Sequence, residues 1–484
     1  MENKKLETKI IDATKWSAIT ELVAKLITPI TNMILARLLS PEAFGVIATV
    51  TMITSFSNML SDAGFQKYIV QHEFENEIDE ESSLDVAFWS NFTISFLLWL
   101  GIAVFRVQLA EIVGNPGLGN VFVIASSTIL LTSFSSIQMA FYRRRFQFKI
   151  LFKVRIVGSI MPLVVTVPLA LLFRNYWALV VGNITASIVN AIILTWYSSW
   201  KPKFEFDFHL LKRMFSFSWW SLIEQITIWF GDYIGIFIVG KYLSSYNLGI
   251  YKTSMTMVNQ IMTLITSATT PVLFAGLSRL QHKDKEFQTL FFTFQRYVGL
   301  IVLPMSIGIY AYRELVTNIL MGKQWDKAIE FVGLWGAMSG IKIVFSNYCS
   351  EVYRAQGRPK LSVLTQTIYL IFLIPGLILS AHKGFKAVCE FRAYSILAII
   401  GINLFVLTIF TKISFVKLVK NEMIYLILSL LIIPISQVLQ NIYSGFIWDI
   451  VSVVMISFGY FLAILLIPNT RKDLIVIVSK MLKL

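Results

Sequence analysis

The feature that most constrains this chain is a series of long apolar stretches that begins near the first residues and continues almost to the last. Each stretch holds roughly 20 residues, the length that an α-helix needs to cross the hydrocarbon core of a bilayer. We therefore predict an all-α polytopic membrane protein with fourteen transmembrane helices. The predicted spans cover residues 16–37, 43–63, 84–106, 118–141, 151–173, 176–199, 214–239, 248–272, 290–312, 328–352, 361–381, 386–411, 422–440 and 446–467.

The composition agrees with a membrane protein and excludes an ordinary soluble one. Of the 484 residues, 56% are hydrophobic and 14% are charged, and the mean hydropathy is +0.69. The two cysteines, Cys349 and Cys389, lie in apolar stretches and offer neither a disulfide framework nor metal-ligand spacing. The N-terminal segment is charged and polar without a cleavable apolar core, so we expect no signal peptide.

The distribution of basic residues predicts the orientation of the spans. A net charge of +14 would suggest a nucleic-acid partner in another chain, but here the Lys and Arg residues lie in short loops. With a cytoplasmic N-terminus, the segments assigned to the cytoplasm carry 29 of them and the opposite segments carry 9. Cytoplasmic loops are enriched in Lys and Arg. Both termini are therefore predicted to be cytoplasmic, and no nucleic-acid partner is expected.

A hairpin motif occurs twice in the chain, at an offset of 204 residues. The first copy, LARLLSPEAFG, joins the first two spans, and the second copy, GKYLSSYNLGIY, joins the seventh and eighth. The aligned residues are Arg37 with Lys241, Ser40 with Ser244 and Gly45 with Gly249. Internal repeats are the usual architecture of secondary transporters. The motif therefore indicates a protein made of two related halves, in which these residues shape the two hairpins.

The two hairpins, written LxRxLSPxxFG and GKYLSxxxLGxY, resemble those of the Wzx-type flippases of lipid-linked oligosaccharides. These flippases form the polysaccharide transporter family of the multidrug/oligosaccharidyl-lipid/polysaccharide (MOP) superfamily. The resemblance extends over essentially the whole chain in length and number of spans. It implies two six-helix lobes that form a V-shaped cleft opening alternately to either side, followed by two further helices. It also implies a bacterial cytoplasmic membrane as the location.

The lobes define the predicted domain boundaries. They are an N-terminal lobe over 1–199, a cytoplasmic linker over 200–213, a C-terminal lobe over 214–411, two last transmembrane helices within 412–467 and an amphipathic cytoplasmic tail over 468–484. At the end of the linker, residues 208–215 are predicted to form a short helix at the membrane interface. In the tail, Leu474, Ile477 and Val478 fall on one helical face, which favours a helix on the inner leaflet over a frayed end.

Ionisable and polar groups inside the spans are the candidate functional residues, because such groups are costly there unless they face water or a partner. The residues predicted to line a shared water-filled cavity are the cations Lys25, Lys252, Lys342 and Arg392, the acids Glu21, Glu224 and Asp232, and the polar residues Asn32, Gln225 and Asn259. Two alternatives stay open at this point. Glu21 and Lys25 are also compatible with an ion pair inside one helix, and stripes of Ser and Thr more often pack helices together.

The resemblance implies a cargo of undecaprenyl diphosphate carrying a short oligosaccharide, moved from the inner to the outer leaflet. Its diphosphate and sugars cannot cross hydrocarbon unaided, so the in-span cations are predicted to replace the water around the diphosphate. Asp232 lies where the family often has an acidic residue, whereas Glu224 matches no family pattern. An intramembrane carboxylate can exchange H⁺ or Na⁺, so ion-coupled and uncoupled movement both remain open, and no other cofactor is expected. Further expected partners are membrane lipids, a polysaccharide polymerase and glycosyltransferases.

Two other functions compete with the flippase. A drug or metabolite antiporter of the MATE type shares the helix count, but it favours an acid-lined cavity, whereas here the in-span acids do not outnumber the in-span cations. A non-transporting scaffold for glycan synthesis gives no reason for charged stripes inside spans. An enzyme is not expected. The histidines are scattered without metal-ligand spacing, no Walker motif occurs, and no loop is long enough for a catalytic domain.

Overall fold

The computed structural model describes the backbone of residues 23–411 and 413–481, and the side chains of this part except at 216–221, 224, 469 and 477–481. Helices dominate the described chain. In chain order they are α1 (residues 23–38), α2 (Pro41–Asp62), α3 (Phe65–Gln71), α4 (Glu77–Val104), α5 (Arg106–Ile112), α6 (Gly119–Arg144), α7 (Phe148–Met161), α8 (Val167–Phe173), α9 (Trp177–Tyr197), α10 (Phe208–Tyr242), α11 (Ser245–Arg279), α12 (Asp284–Ala311), α13 (Arg313–Leu320), α14 (Ile329–Lys342), α15 (Cys349–Ala355), α16 (Lys360–Ala381), α17 (Phe385–Thr411), α18 (Phe415–Leu430), α19 (Ile432–Ile442), α20 (Phe446–Leu466) and α21 (Pro468–Met481).

Twelve helical segments of the described chain are long and apolar enough to cross a membrane. They coincide with twelve of the fourteen predicted spans, so the all-helical polytopic fold is confirmed. Helices α1 and α10 occupy the positions of the first and seventh predicted spans. The full count of fourteen stays a prediction.

Local sequence signals explain where several helices begin. Ser40 caps α2 by accepting from the Ala43 backbone N–H at 3.5 Å, and Pro41 follows at the first helical position. Asn76 caps α4 by accepting from the Asp79 N–H at 2.9 Å. The first turn of α4 is acidic, which suits the positive end of a helix dipole. The acidic residues Glu77, Asp79 and Glu80 thus belong to the start of α4.

Two spanning helices are interrupted by a π-turn. Between α7 and α8 the turn covers Pro162–Thr166, and between α14 and α15 a second turn covers Ile343–Asn347. Pro162 has no backbone N–H and so cannot continue the regular hydrogen-bond ladder. Such turns widen a helix locally and are frequent at functional sites.

Two sequence-based boundaries are wrong. Residues 208–215 are not a separate interfacial helix, because Asp207 caps α10 and the helix continues unbroken to Tyr242. The thirteenth span does not begin at residue 422, because α18 begins at Phe415 under the cap of Ser414. The charged residues at the start of each helix lower the local hydropathy but do not break the backbone hydrogen bonds.

The chain divides into two compact units, Met1–Lys252 and Thr253–Leu484. In the first unit a hydrophobic core surrounds Phe65, Phe88 and Tyr142, where α3, α4 and α6 pack together. In the second unit a core around Ile307, Ala337 and Ile456 joins α12, α14 and α20. Of the helices named here, α14 carries a candidate site residue, Lys342. The predicted lobe boundaries stay predictions.

Candidate functional site

The two copies of the hairpin motif contact each other inside the first unit. A Cβ atom built on Gly45 would lie 1.9 Å from the carbonyl oxygen of Ser245, and one built on Gly249 would lie 1.7 Å from the carbonyl oxygen of Pro41. The sequence offset of 204 residues relates Pro41 to Ser245 and Gly45 to Gly249. The contact is therefore reciprocal, as expected for two copies of one template, and only glycine permits so close an approach of backbones.

The remaining motif residues have matching local roles in the two copies. Ser40 accepts from the Ala43 N–H at 3.5 Å, and Ser244 accepts from the Asn247 N–H at 3.3 Å, so each serine lies at the start of a spanning helix. The basic residues Arg37 and Lys241 are both exposed. Arg37 donates to the Met33 carbonyl at 2.9 Å, and the Lys241 ammonium lies 5.9 Å from the centre of the Phe237 ring.

A third segment joins the paired hairpins, and sequence reasoning missed it. The Ser245 hydroxyl donates to Asn115 Oδ1 at 2.6 Å, and Asn115 Nδ2 donates to the Thr49 hydroxyl at 3.2 Å. Asn115 is buried, and the neighbouring Gly114 has a φ of +75°, with the Gly240 carbonyl oxygen 1.7 Å from the position of a Cβ. The sequence signal was the Gly-Asn-Pro-Gly turn at residues 114–117.

In the first unit the predicted cation Lys252 lies beside an aromatic group. Its ammonium is 5.5 Å from the centre of the Tyr233 ring, close enough for a cation–π interaction. Tyr233 stacks on Trp229 with ring centres 5.2 Å apart, and Trp229 Nε1 donates to the Ser55 hydroxyl at 3.0 Å. The stacked rings of Tyr233 and Trp229 beside Lys252 thus belong to α10 and are hydrogen-bonded to α2.

The second unit brings two predicted residues, Arg392 and Asn259, to the same tryptophan. The Arg392 guanidinium lies 5.1 Å from the centre of a Trp335 ring, and Trp335 Nε1 donates to Asn259 Oδ1 at 3.0 Å. Arg392 Nη1 also donates to the Tyr369 hydroxyl at 2.5 Å. Trp335 and Tyr369 were not identified from the sequence, because aromatic residues within apolar helices have the pattern of ordinary core.

The other predicted residues are dispersed over the described helices. Lys25 and Asn32 are half-buried on α1, and Gln225 is half-buried on α10. Asp232 is exposed on α10, and Lys342 is exposed at the end of α14, next to the π-turn Ile343–Asn347. Glu21 and the side chain of Glu224 lie outside the described residues.

Three consecutive arginines at the end of α6, Arg143, Arg144 and Arg145, contact other groups of the protein. Glu80 on α4 lies 3.6 Å from Arg144 and 3.1 Å from Arg145. Arg144 also donates to the carbonyls of Ile69 and His72, at 2.9 and 2.6 Å. Arg143 donates to Gln66 Oε1 at 3.4 Å. These contacts fasten the segment between α3 and α4, so all three arginines contact protein groups.

A glutamate that the sequence prediction placed at a span boundary is deeply buried. Glu422 lies within α18, seven residues after its first residue, and its side chain is fully buried. Ionisable groups in such positions are costly and commonly functional. The residue was missed because the thirteenth span was predicted to begin there.

The sequence matches the model of a protein family described as "Polysaccharide biosynthesis protein" over residues 34–330, more than half of the chain. It is 26% identical to the succinoglycan biosynthesis transport protein ExoT of Rhizobium meliloti (strain 1021), over 67% of this chain and 65%, a little under two thirds, of that relative. It is 18% identical to the lipopolysaccharide biosynthesis protein WzxC of Escherichia coli (strain K12), over 78% of this chain and 76% of the relative.

Two solved structures share the fold. The lipid II flippase MurJ in an inward closed conformation superposes with a TM-score of 0.75 at 14% identity, covering 95% of this chain and 99% of that one. An inward-facing multidrug resistance MATE family transporter of the MOP superfamily superposes with a TM-score of 0.59 at 11% identity, covering 85% of this chain and 98% of that one.

Proposed function

The chain belongs to this polysaccharide biosynthesis protein family, a family of Wzx-like transporters rather than enzymes, and we propose that it is a flippase. Its cargo is an undecaprenyl diphosphate carrying an oligosaccharide repeat unit. It moves this lipid from the cytoplasmic to the outer leaflet of a bacterial cytoplasmic membrane, with both termini in the cytoplasm and with fourteen spans, α1 and α10 being the first and seventh. The polymer built outside is an O-antigen, capsule, exopolysaccharide or teichuronic acid.

The observation that carries this proposal is the fold of a lipid flippase in a member of a polysaccharide family. The similarity to MurJ covers 95% of this chain. The matched relatives have names from polysaccharide pathways: ExoT from succinoglycan, WzxC from lipopolysaccharide and TuaB of Bacillus subtilis (strain 168) from teichuronic acid. Polysaccharide names together with the fold of a lipid flippase support a lipid-bound glycan as the cargo.

The in-span cations suit the diphosphate of such a cargo. A diphosphate that leaves water must exchange its hydration shell for charged donors, and Lys25, Lys252, Lys342 and Arg392 supply them. Tyr369 and Trp335 contact the guanidinium of Arg392 on two sides. Trp335 and Tyr369 are themselves buried and hold the guanidinium of Arg392 in place. We assign the four cations to cargo binding.

The membrane potential can drive the movement. Carrying two negative charges outward, down a potential that is negative inside, releases about 4–5 kcal/mol per 100 mV when no cation travels with them. Coupling to H⁺ or Na⁺ through Asp232 or Glu224 is then unnecessary for direction. It stays a second mechanism, which predicts that flipping depends on a gradient of that ion at zero potential.

Substitution of the cations tests the assignment in a host that makes the cognate glycan. Replacing Lys252 or Arg392 with Gln removes a charged donor whose hydrogen bonds contribute about 1.5–3 kcal/mol each, so export should fall by roughly tenfold or more. The readouts are surface polymer and accumulated lipid-linked oligosaccharide. Lys283→Gln is the matched control, because Lys283 is exposed and pairs with Glu286 at 3.3 Å outside any span. Full export by both variants at normal protein levels would contradict the cation assignment.

A cation-coupled drug or metabolite antiporter is the second candidate, favoured by the structural similarity to the MATE transporter. It predicts drug resistance on overexpression and no change in lipid-linked oligosaccharide. The flippase predicts the reverse.

A further inference from the structure

The carboxyl group of Glu422 is buried where two helices of the second unit pack closely. Helix α18 lies against α12, and Glu422 is 0% exposed. Neither Oε1 nor Oε2 has a hydrogen-bond partner among the described residues. A Cβ atom on Gly299 of α12 would lie 1.9 Å from Oε2, so glycine at this position makes the space that the carboxyl group fills.

Within the described chain, one arginine lies near this carboxyl group, and it is already paired with another acid. Arg296, one helical turn before Gly299 on α12, places Nη2 3.3 Å from Oδ1 of Asp473 on α21. Asp473 also accepts from the Tyr425 hydroxyl at 2.7 Å. Arg296 Nε is buried and, within the described chain, has no hydrogen-bond partner. Arg296 therefore keeps an unused donor beside Glu422 while its terminal nitrogen serves Asp473.

The other groups that face Glu422 offer no further positive charge. Among the described residues, the charged and titratable groups around it are Arg296 on α12, Asp473 on α21, Tyr425 on α18 and Tyr460 on α20. Tyr460 donates to the Leu300 carbonyl at 3.1 Å. Among the described residues one cation thus interacts with two carboxyl groups and is paired with Asp473, so an ionised Glu422 would carry a buried charge with no donor of its own.

A proton fits this site better than a metal ion does. A metal bound by hard oxygen ligands needs several of them, and the described residues contain no group of three or more His, Cys, Asp or Glu that could hold one. A protonated carboxyl needs no second ligand and fits beside the apolar Gly299.

We propose that Glu422 is a proton-binding site that controls the C-terminal helix α21. Glu422 holds its proton while Arg296 pairs with Asp473, which docks α21 on α12 and α18. When the proton leaves to water, the carboxylate of Glu422 takes Arg296 as its partner, Asp473 loses its cation, and α21 is released. The site does not depend on the cargo or on transport.

Infrared spectroscopy tests the proton directly on the full-length purified protein. The carbonyl stretch of a protonated carboxylic acid should be present near neutral pH, should disappear toward about pH 9, and should be missing in Glu422→Gln. Gln keeps the shape of the neutral acid, so this variant should fold at least as well as the wild type. A wild-type spectrum identical to that of Glu422→Gln from about pH 5 to about pH 9 would overturn the proposal.

The stability of the protein and the protection of α21 give a second readout. A group that binds its proton more tightly in the folded than in the unfolded state makes the folded state less stable as the pH rises. The wild type should melt at a lower temperature, and α21 should exchange amide hydrogens faster, at about pH 9 than at about pH 6. Both differences should shrink in Glu422→Gln.

Two further variants separate the proton site from a merely structural glutamate. In Asp473→Asn, Arg296 has no competing acid, so Glu422 should lose its proton at a lower pH and its infrared band should vanish near neutral pH. Glu80→Gln is the matched control, because Glu80 is also buried but is paired with Arg144 and Arg145. It should leave the infrared band and the pH dependence of α21 unchanged. Persistence of the band in Asp473→Asn, or its loss in Glu80→Gln, would contradict the exchange of partners.

Discussion

At the scale of single residues, the choice of amino acid is most tightly restricted where two helix backbones contact each other. The Gly45 and Gly249 pair leaves no room for a Cβ atom on either side, and each glycine faces the carbonyl group that begins the other hairpin. The requirement therefore comes from tertiary contact and not from the local conformation, since both glycines lie inside helices.

Alanine at either hairpin glycine should destabilise the first unit. A methyl group within 2 Å of a carbonyl oxygen must push the helices apart, and overpacking of this kind costs typically 1–3 kcal/mol, sometimes more. The melting temperature in detergent should fall for Gly45→Ala and for Gly249→Ala. Gly101→Ala is the control, because nothing lies within 4 Å of its Cβ position and alanine is the better helix former. Equal melting temperatures for all three variants would show that the hairpins do not hold each other.

Individual residues were predictable from the sequence where their chemistry is unusual for a membrane helix. Lys252, Arg392 and Asn259 stood out as polar groups in apolar surroundings. Their neighbours Trp335 and Tyr369 did not, since an aromatic residue is ordinary in such a helix and only the folded structure shows which polar group it contacts. Asn115 was equally hidden, because its two partners are 66 and 130 residues away in sequence.

At the scale of elements, the segment between α9 and α10 is held by the start of α4. Trp200 Nε1 and the Lys203 backbone N–H both donate to Asp85 Oδ1, at 3.1 and 3.0 Å. Trp89 Nε1 donates to the Lys203 carbonyl at 2.7 Å, and the Trp89 ring stacks on Phe204 with centres 4.4 Å apart. These contacts therefore hold the linker in a fixed position on the first unit.

The buried carboxylate of Asp85 should contribute far more to holding the linker than the exposed ion pair of Lys203 with Glu81 does. Asp85→Ala leaves two donors without their acceptor, which costs about 1–3 kcal/mol for each buried group, so the linker should become sensitive to protease. Lys203→Gln should have little effect, because the pair that Lys203 forms with Glu81 at 2.8 Å is exposed to solvent. Equal protease sensitivity of the two variants would contradict this ranking.

The same ion pair predicts how the stability of the linker should change with pH. Its hydrogen bond to Glu81 raises the pKa of the Lys203 ammonium above its ordinary value. A base with a raised pKa contributes stability below its ordinary value and loses that contribution as the pH rises through the raised one. Any stabilisation of the linker by this pair should therefore be present near neutral pH and be lost in alkaline solution, and this alkaline loss should be absent in Lys203→Gln.

Helix existence was predictable at this scale, whereas helix ends were not. Twelve apolar stretches correspond to helices long enough to span a membrane. The predicted ends were wrong where charged residues extend a helix beyond its apolar part, as at the starts of α4, α10 and α18. Hydropathy measures solvation, but a helix ends where its backbone hydrogen bonds end. This difference mattered most for Glu422. The predicted span begins at this residue, whereas in the structure the residue is fully buried within α18.

At the scale of the whole molecule, the chain is a multi-pass membrane protein with the fold of the MOP superfamily. The repeat seen in the sequence has a physical counterpart in the reciprocal hairpin contact. The fold was predictable because spans and repeats are long-range patterns. The cargo is not encoded in such patterns, since a flippase and an antiporter share the fold, and only the chemistry of the polar residues and the family separate them.

Transport of a lipid-linked oligosaccharide can be measured directly with purified protein in proteoliposomes that contain undecaprenyl diphosphate bearing a short oligosaccharide, with a glycan-modifying enzyme added outside. If the protein is the proposed flippase, an inside-negative potential should increase the fraction of lipid accessible to the enzyme. Arg392→Gln should reduce this increase by roughly tenfold, and Lys283→Gln should not. An accessible fraction equal to that of protein-free vesicles, with and without the potential, would contradict a flippase.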